Sequence, residues 1–337
     1  MIPVPSSPTS VCDPLTCDST NRRKLPTAHA NERCTFCPAA GEDHSTGEPN
    51  GMGGSQVGGE LVWPTKEELF REPPPPQECD ICSLPMGCSA NRSIEGSAAI
   101  SLSCCGKQIC LGCHYSNSTV HGSRCCPYCR QGYTDVESEK KNVVRRAKAK
   151  KDPHSILLIA SMRQYGINGF EQDEKKAFKE LVESAELGSR DACCVIGHSY
   201  AEGSGVERNM NLAKYWYQIA AVRGCSTSRV ELANFDLKEK DPESAVRHLM
   251  ISCRLGDDDG LNLLGKLYRG GLKKKDPCVT KDQYARALRS HKEFADSMKS
   301  DSRVAAAAYS RSLKSMFSPE LSSFFDENDT FDSRDDQ

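Results

Sequence analysis

Three Cys-x2-Cys pairs and the adjacent pair Cys104-Cys105 fall between residues 79 and 129, and no other feature restricts the fold as tightly. Cys79 and Cys82 are followed after 21 residues by Cys104 and Cys105, after four by Cys110 and Cys113, and after 12 more by Cys126 and Cys129. Thiols at this density serve either disulfides, which small secreted domains use to compensate for thin cores, or metal sites. Residues 1–30 hold no uninterrupted apolar stretch behind a basic start, so no secretory signal is visible. No apolar run approaches the roughly 18 residues that argue for a membrane span. We therefore expect an intracellular protein, cytoplasmic or nuclear, with no membrane association and with thiols that bind metal. Each C-x2-C turn offers two sulfurs to one ion and zinc takes four S or N ligands, so the eight cysteines predict two structural Zn2+ ions.

Composition divides the rest of the chain. Residues 1–78 hold 12 of the 18 prolines and seven glycines, in tracts such as GMGGSQVGG and PPPP. Such a stretch buries too little apolar surface to offset chain entropy, and disorder is expected over residues 1–76. A zinc finger is expected over 77–132 and a basic linker over 133–153, where SEKKNVVRRAKAKK carries seven Lys or Arg. That run has the basic density of a nuclear import signal, although such a run is more often a solvated, partly helical linker. Repeats follow over 154–312, then an acidic disordered tail over 313–337. A net charge of −2 and a basic run without interleaved aromatics argue against nucleic-acid binding. Cys12, Cys17, Cys34 and Cys37 have the spacing of a third zinc knuckle, although the Pro, Ser and Thr around them supply no core.

The strings CDIC, CCGKQIC and CPYCR resemble an all-cysteine RING-type zinc finger. The resemblance implies a cross-braced ligand order, with Cys79, Cys82, Cys110 and Cys113 at one ion and Cys104, Cys105, Cys126 and Cys129 at the other. The usual RING histidine, counted from Cys105, is replaced by Lys107, whose ammonium cannot ligate zinc. Adjacent Cys104 and Cys105 are an awkward pair for one ion, so His114, His121 and Cys125 stand as alternative ligands. RING domains dock ubiquitin-conjugating enzymes, and the resemblance assigns that role to Ile81, Pro127 and Arg130. The common Trp of the central helix is absent, Tyr115 being the aromatic there, and Ile81 and Pro127 equally suit packing of the zinc loops.

The second half repeats itself. AFKELVESAELGS (177–189) aligns with AKYWYQIAAVRGC (213–225) at a shift of 36, matching Ala177 with Ala213, Ala185 with Ala221 and Gly188 with Gly224. A third copy, AVRHLMISCRLGD (245–257), follows at 32, and Ile196-Gly197 corresponds to Leu232-Ala233 and Leu264-Gly265. A period in this range with two helices per unit predicts a solenoid in which small residues admit close helix packing. Cys193, Cys194, Cys225 and Cys253 fall at its apolar positions and are expected in the core. The units resemble Sel1-like repeats, relatives of the tetratricopeptide repeats. The helical stretch KDQYARALRSHKEFADSMKSDSRVAAAAYSR is expected to cap them.

The expected fold is thus a small α+β cross-braced RING-like zinc domain followed by an all-α solenoid of Sel1-like helical hairpins, between a disordered N-terminus and a disordered tail. The combination resembles a multigene family of zinc-finger and Sel1-repeat proteins in algae and related protists. It implies a RING-type ubiquitin ligase whose finger docks the conjugating enzyme and whose repeats bind the substrate protein, without a catalytic residue of its own. The alternative is a zinc-binding scaffold that joins proteins and transfers nothing.

Overall fold

Thr65 and Glu68 cap one another reciprocally and nucleate a short helix, α1 (Lys66–Leu69), at the start of the described chain. The computed structural model describes residues 61–87, 99–120, 125–132, 135–270 and 278–316, all within one unit spanning 48–337. His121, the four N-terminal cysteines and residues 317–337 of the expected tail lie outside the described residues, whereas 313–316, expected in that tail, belong to the last helix.

Residues 61–76 depart from the disorder their composition predicts. Leu69 is buried, Phe70 packs beside it, and the ring of Trp63 meets that of Tyr215 edge-on at 5.3 Å. The abundance of Pro and Gly upstream hides three apolar anchors, Trp63, Leu69 and Phe70, that find their partners in the folded repeats.

The finger is a two-stranded antiparallel ribbon, β1 (Ala99–Ser101) and β2 (Gln108–Cys110), leading into α2 (Leu111–Tyr115) and a π-helical turn over Ser116–Val120. Ile100 pairs with Ile109 in the ribbon register. Met86, Leu102, Ile109 and the buried cysteines form its small core.

The basic stretch is a full helix, α3 (Val136–Lys150), capped by Asp135. It is less solvated than a linker: Val143 packs with Ile159, Met162 and Phe170, and Arg146 is buried against Asp152 at 2.5 Å. The same Asp152 caps α4 (Pro153–Tyr165), whose Pro at the first position lacks an N–H that would go unmet there anyway.

Hairpins follow in regular order. Helices α5 (Glu174–Glu186), α6 (Arg190–Glu202) and α7 (Met210–Val222) start behind the side-chain caps Asp173, Ser189 and Asn209. Next come α8 (Ser226–Lys238), α9 (Pro242–Arg254), α10 (Asp258–Gly270) and α11 (Lys281–Ser297). Cys193, Cys194, Cys225 and Cys253 are buried, as repeat positions require. Gly197 shows why a small residue recurs: an added Cβ would stand 2.6 Å from the ring of Tyr217 on the facing helix. The shorter third period is absorbed between α8 and α9, where only 239–241 connect the helices, against 203–209 between α6 and α7.

The expected C-terminal cap is two helices rather than one. α11 packs on α9 and α10, the chain breaks near Met298, and Ser300 accepts from the Arg303 N–H to start α12 (Asp301–Met316). α12 leaves the solenoid and lies along α2 of the finger.

Candidate metal centres

Three copies of one backbone turn build the finger. In the first, the Cys79 N–H donates to the Leu84 carbonyl (3.0 Å) and the Ser83 N–H to the Cys79 carbonyl (2.9 Å), with Ser83 left-handed at φ 54°. The last repeats it: Cys126 N–H to the Gln131 carbonyl (2.8 Å), Arg130 N–H to the Cys126 carbonyl (3.1 Å), and Arg130 at φ 58°. The middle turn has the same pattern with Leu102 in the leading place, bonded to Lys107 and accepting from Gly106 at φ 77°. In that frame Cys105 occupies the place of Cys82, and Cys104 projects from the position held by Ile81 in the first turn.

This arrangement gathers the sulfurs in two groups. Cys79, Cys82, Cys110 and Cys113 lie with all sulfurs within 4.8 Å of one another, and so do Cys104, Cys105, Cys126 and Cys129. Successive pairs in sequence alternate between the groups, which is a cross-braced order. Adjacent Cys104 and Cys105 therefore both reach one centre. His114 and Cys125 belong to neither group, and Lys107 instead lies 3.6 Å from Asp80 and over the Tyr128 ring.

The donor set fits a thiophilic ion. A tetrahedron with metal–sulfur bonds of about 2.3 Å has sulfur–sulfur edges of about 3.8 Å. Across the two groups, Cys82 and Cys110 stand 3.9 Å apart and Cys105 and Cys126 stand 3.7 Å apart, distances far too long for a disulfide. Cys79 Sγ accepts from the backbone N–H of Ile81 (3.4 Å) and Cys110 (3.2 Å), Cys110 Sγ from Cys113 N–H, and Cys126 Sγ from Tyr128 N–H. Burial pushes the thiols of Cys79 and Cys126 up, but backbone N–H donors outweigh it and bring both down to about 7. Burial and the surrounding thiols push Cys104 and Cys113 far up. Four clustered thiolates repel one another, and a divalent cation of the zinc class removes that cost. Each four-cysteine group can hold one such ion.

One residue at the first centre carries no motif signal. Arg303 of α12 is 2% exposed, and its guanidinium donates to the carbonyls of Pro85 (2.7 Å), Leu84 (3.2 Å) and Met298 (3.0 Å) and reaches Cys82 Sγ at 3.6 Å. Gly112 of α2 admits this approach, since a Cβ there would stand 2.6–2.8 Å from Arg303 atoms. Tyr115 meets the Tyr309 ring of α12 at 5.2 Å. Of the residues assigned to enzyme docking, Ile81 is 45% exposed, Arg130 is exposed and Pro127 is half-buried.

The helical hairpins downstream of the finger match the family model described as Sel1 repeat, over residues 153–189 and 190–225. The chain carries Sel1 repeats. The matched residues begin beyond the finger, and α8 to α11 continue the same hairpin packing. The chain is 40% identical over 52 residues to the chitin synthase regulator SKT5 of Saccharomyces cerevisiae, a stretch that is 15% of this chain and 8% of the yeast protein. Among solved structures it is similar to a Sel1 repeat protein from Oxalobacter formigenes, at 22% identity and a TM-score of 0.42, covering 54% of this chain and 70% of that one. It is also similar to c5321, a protective antigen of uropathogenic Escherichia coli with an SLR fold, at 25% identity and a TM-score of 0.39, covering 57% and 38%. Among the described residues no helix is long and apolar enough to cross a membrane.

Proposed function

We propose that the protein is a RING-type ubiquitin ligase, in which the zinc-loaded finger docks a charged ubiquitin-conjugating enzyme and the Sel1 repeats hold the protein to be modified. The observation that carries this reading is the interleaving of the two four-sulfur groups, because a cross-braced finger presents its first and last turns side by side. Ile81 and Arg130 belong to those turns and are open to solvent. In the reaction a substrate lysine amine attacks the thioester on the conjugating enzyme, an isopeptide bond forms and the enzyme's thiol leaves. This chain contributes position and forms no covalent intermediate. Zinc, when bound, supplies structure alone, since four thiolates fill its coordination.

A zinc-stabilised scaffold is the second reading, favoured by α12, which lies along α2 and engages Tyr115 with its own Tyr309. Discharge of ubiquitin from a panel of charged conjugating enzymes separates the two. The ligase reading expects discharge by the full chain and its loss in Ile81→Ala/Arg130→Ala with both metal ions retained. A folded, metal-loaded chain that discharges none of the panel is a scaffold.

A further inference from the structure

The Sel1 repeats already hold a peptide, and it is the chain's own residues 61–72. Four contacts define the seat. Trp63 stands against Tyr215 of α7. Leu69 is a buried member of the repeat core cluster that includes Ala221 and Leu232. Phe70 is clamped between the His248 ring, 4.6 Å away, and the Arg247 guanidinium, 3.8 Å from its centroid. Glu72 pairs with Arg254 at 2.9 Å.

The polar core of the seat is Arg229 of α8, 1% exposed. A buried guanidinium is costly unless its donors are met, and among the described residues no carboxylate pairs with it. Nη2 donates to the Ala221 carbonyl at 3.0 Å, and Nη1 faces His248 Nδ1 at 3.3 Å and donates to the Leu69 carbonyl at the end of α1. The repeats thus contain a buried cation aimed at the C-terminal end of a helix that they do not themselves supply. Helix C-terminal carbonyls are unmet within the helix and carry its negative pole, which is what a fixed guanidinium recognises.

We propose that the face formed by α7, α8 and α9 is a peptide-recognition site for a short helical segment of the pattern Trp-x5-Leu-Phe-x-Glu, that residues 61–72 are its tethered occupant, and that a partner protein docks by presenting the same pattern in their place. The proposal rests on the protein-binding reading of the repeats and is independent of ubiquitin transfer. The leucine and the phenylalanine supply apolar anchors, the carbonyl between them meets Arg229, and the acidic residue meets Arg254. Such a partner enters as an amphipathic helix in a groove. Its competitor is intramolecular and so is present at a high effective concentration.

The test uses the full chain and a fluorescein-labelled peptide of residues 61–74, followed by fluorescence anisotropy. The native chain is expected to bind it weakly because the site is filled, whereas Phe70→Ala is expected to bind it at least about tenfold more tightly, within the usual gain from relieving a tether. A peptide with the same Phe replaced by Ala is expected not to bind either chain. Phe70→Ala that is helical by circular dichroism yet binds no better than the native chain overturns the proposal. Should Phe70→Ala fail to fold, Trp63→Ala/Glu72→Ala loosens the exposed ends of the segment and is read in the same way. Hydrogen exchange of the native chain adds a second reading: protected amides in 65–72 support the seat, and free exchange there overturns it.

Discussion

Arg303→Ala removes a side chain by which α12 touches the first metal centre. The guanidinium lies 3.6 Å from Cys82 Sγ, and a zinc ion held by four thiolates carries a net charge of about −2. At this separation and an effective dielectric of about 20, each unit of charge contributes about 4 kcal/mol of attraction. Desolvation of the buried Arg cancels much of that gain. Removing the side chain also strands three carbonyls, Leu84, Pro85 and Met298, of which the first two shape the turn carrying Cys79 and Cys82. Breaking a buried charged network by deleting one partner costs about 3–5 kcal/mol. The loop carbonyls can regain water, which sets the cost at the lower end, and about 3 kcal/mol corresponds to roughly a hundredfold in an equilibrium or rate. Zinc release from the full chain to a coloured chelator should therefore accelerate by roughly a hundredfold in Arg303→Ala. Arg303→Lys, which keeps the charge but not the fork, should fall between. Release at the native rate from a folded Arg303→Ala chain would refute the reasoning and leave Arg303 as packing alone.

A pH experiment and a pair of ligand substitutions test other parts of the account. Burial pushes Asp236 from 3.8 up to about 6, and burial with the Arg229 charge pushes His248 from 6.5 down to about 3. A raised carboxyl favours the fold at low pH and loses that contribution as pH rises from about 4 to about 6, whereas a depressed histidine favours the fold above about 6.5 and loses it as pH falls toward about 3. The two slopes oppose each other in the native chain. Relative to native, Asp236→Asn should make the thermal midpoint fall more steeply on acidification below pH 6, and His248→Gln should make it fall less steeply; parallel profiles would contradict both assignments. Cys104→Ala should lower zinc content to about one ion per chain while Lys107→Ala leaves it at about two, since only Cys104 belongs to a four-sulfur group. Two ions retained in Cys104→Ala would return the fourth ligand of that centre to His114, His121 or Cys125.

The thiol grouping was legible because C-x2-C is a local signal: one four-residue turn settles where both sulfurs point, and only the pairing of turns needs the fold. The repeats were legible for a similar reason, since Ala213, Ala221 and Gly224 restate Ala177, Ala185 and Gly188 at one period. How Cys104 and Cys105 share a centre was not, because it depends on a turn in which Leu102 replaces a cysteine. Residues 61–76 were misread through averaging, as the three anchors Trp63, Leu69 and Phe70 carry little weight among a dozen prolines. Arg229 and Arg303 look like ordinary surface charges in sequence. Each is buried because a distant segment brings carbonyls to it, from Leu69 and from Pro85 respectively, and no period or spacing encodes such a meeting.

Native mass spectrometry of the folded full chain measures most directly whether the finger is what its sulfur geometry implies. Two groups of four sulfurs, each closed around one ion, predict about two zinc ions per chain, both removed by a strong chelator with loss of the finger and retention of the repeat helices. A folded chain that carries no zinc, with the reactive thiols of residues 79–129 titrating freely, would contradict the account.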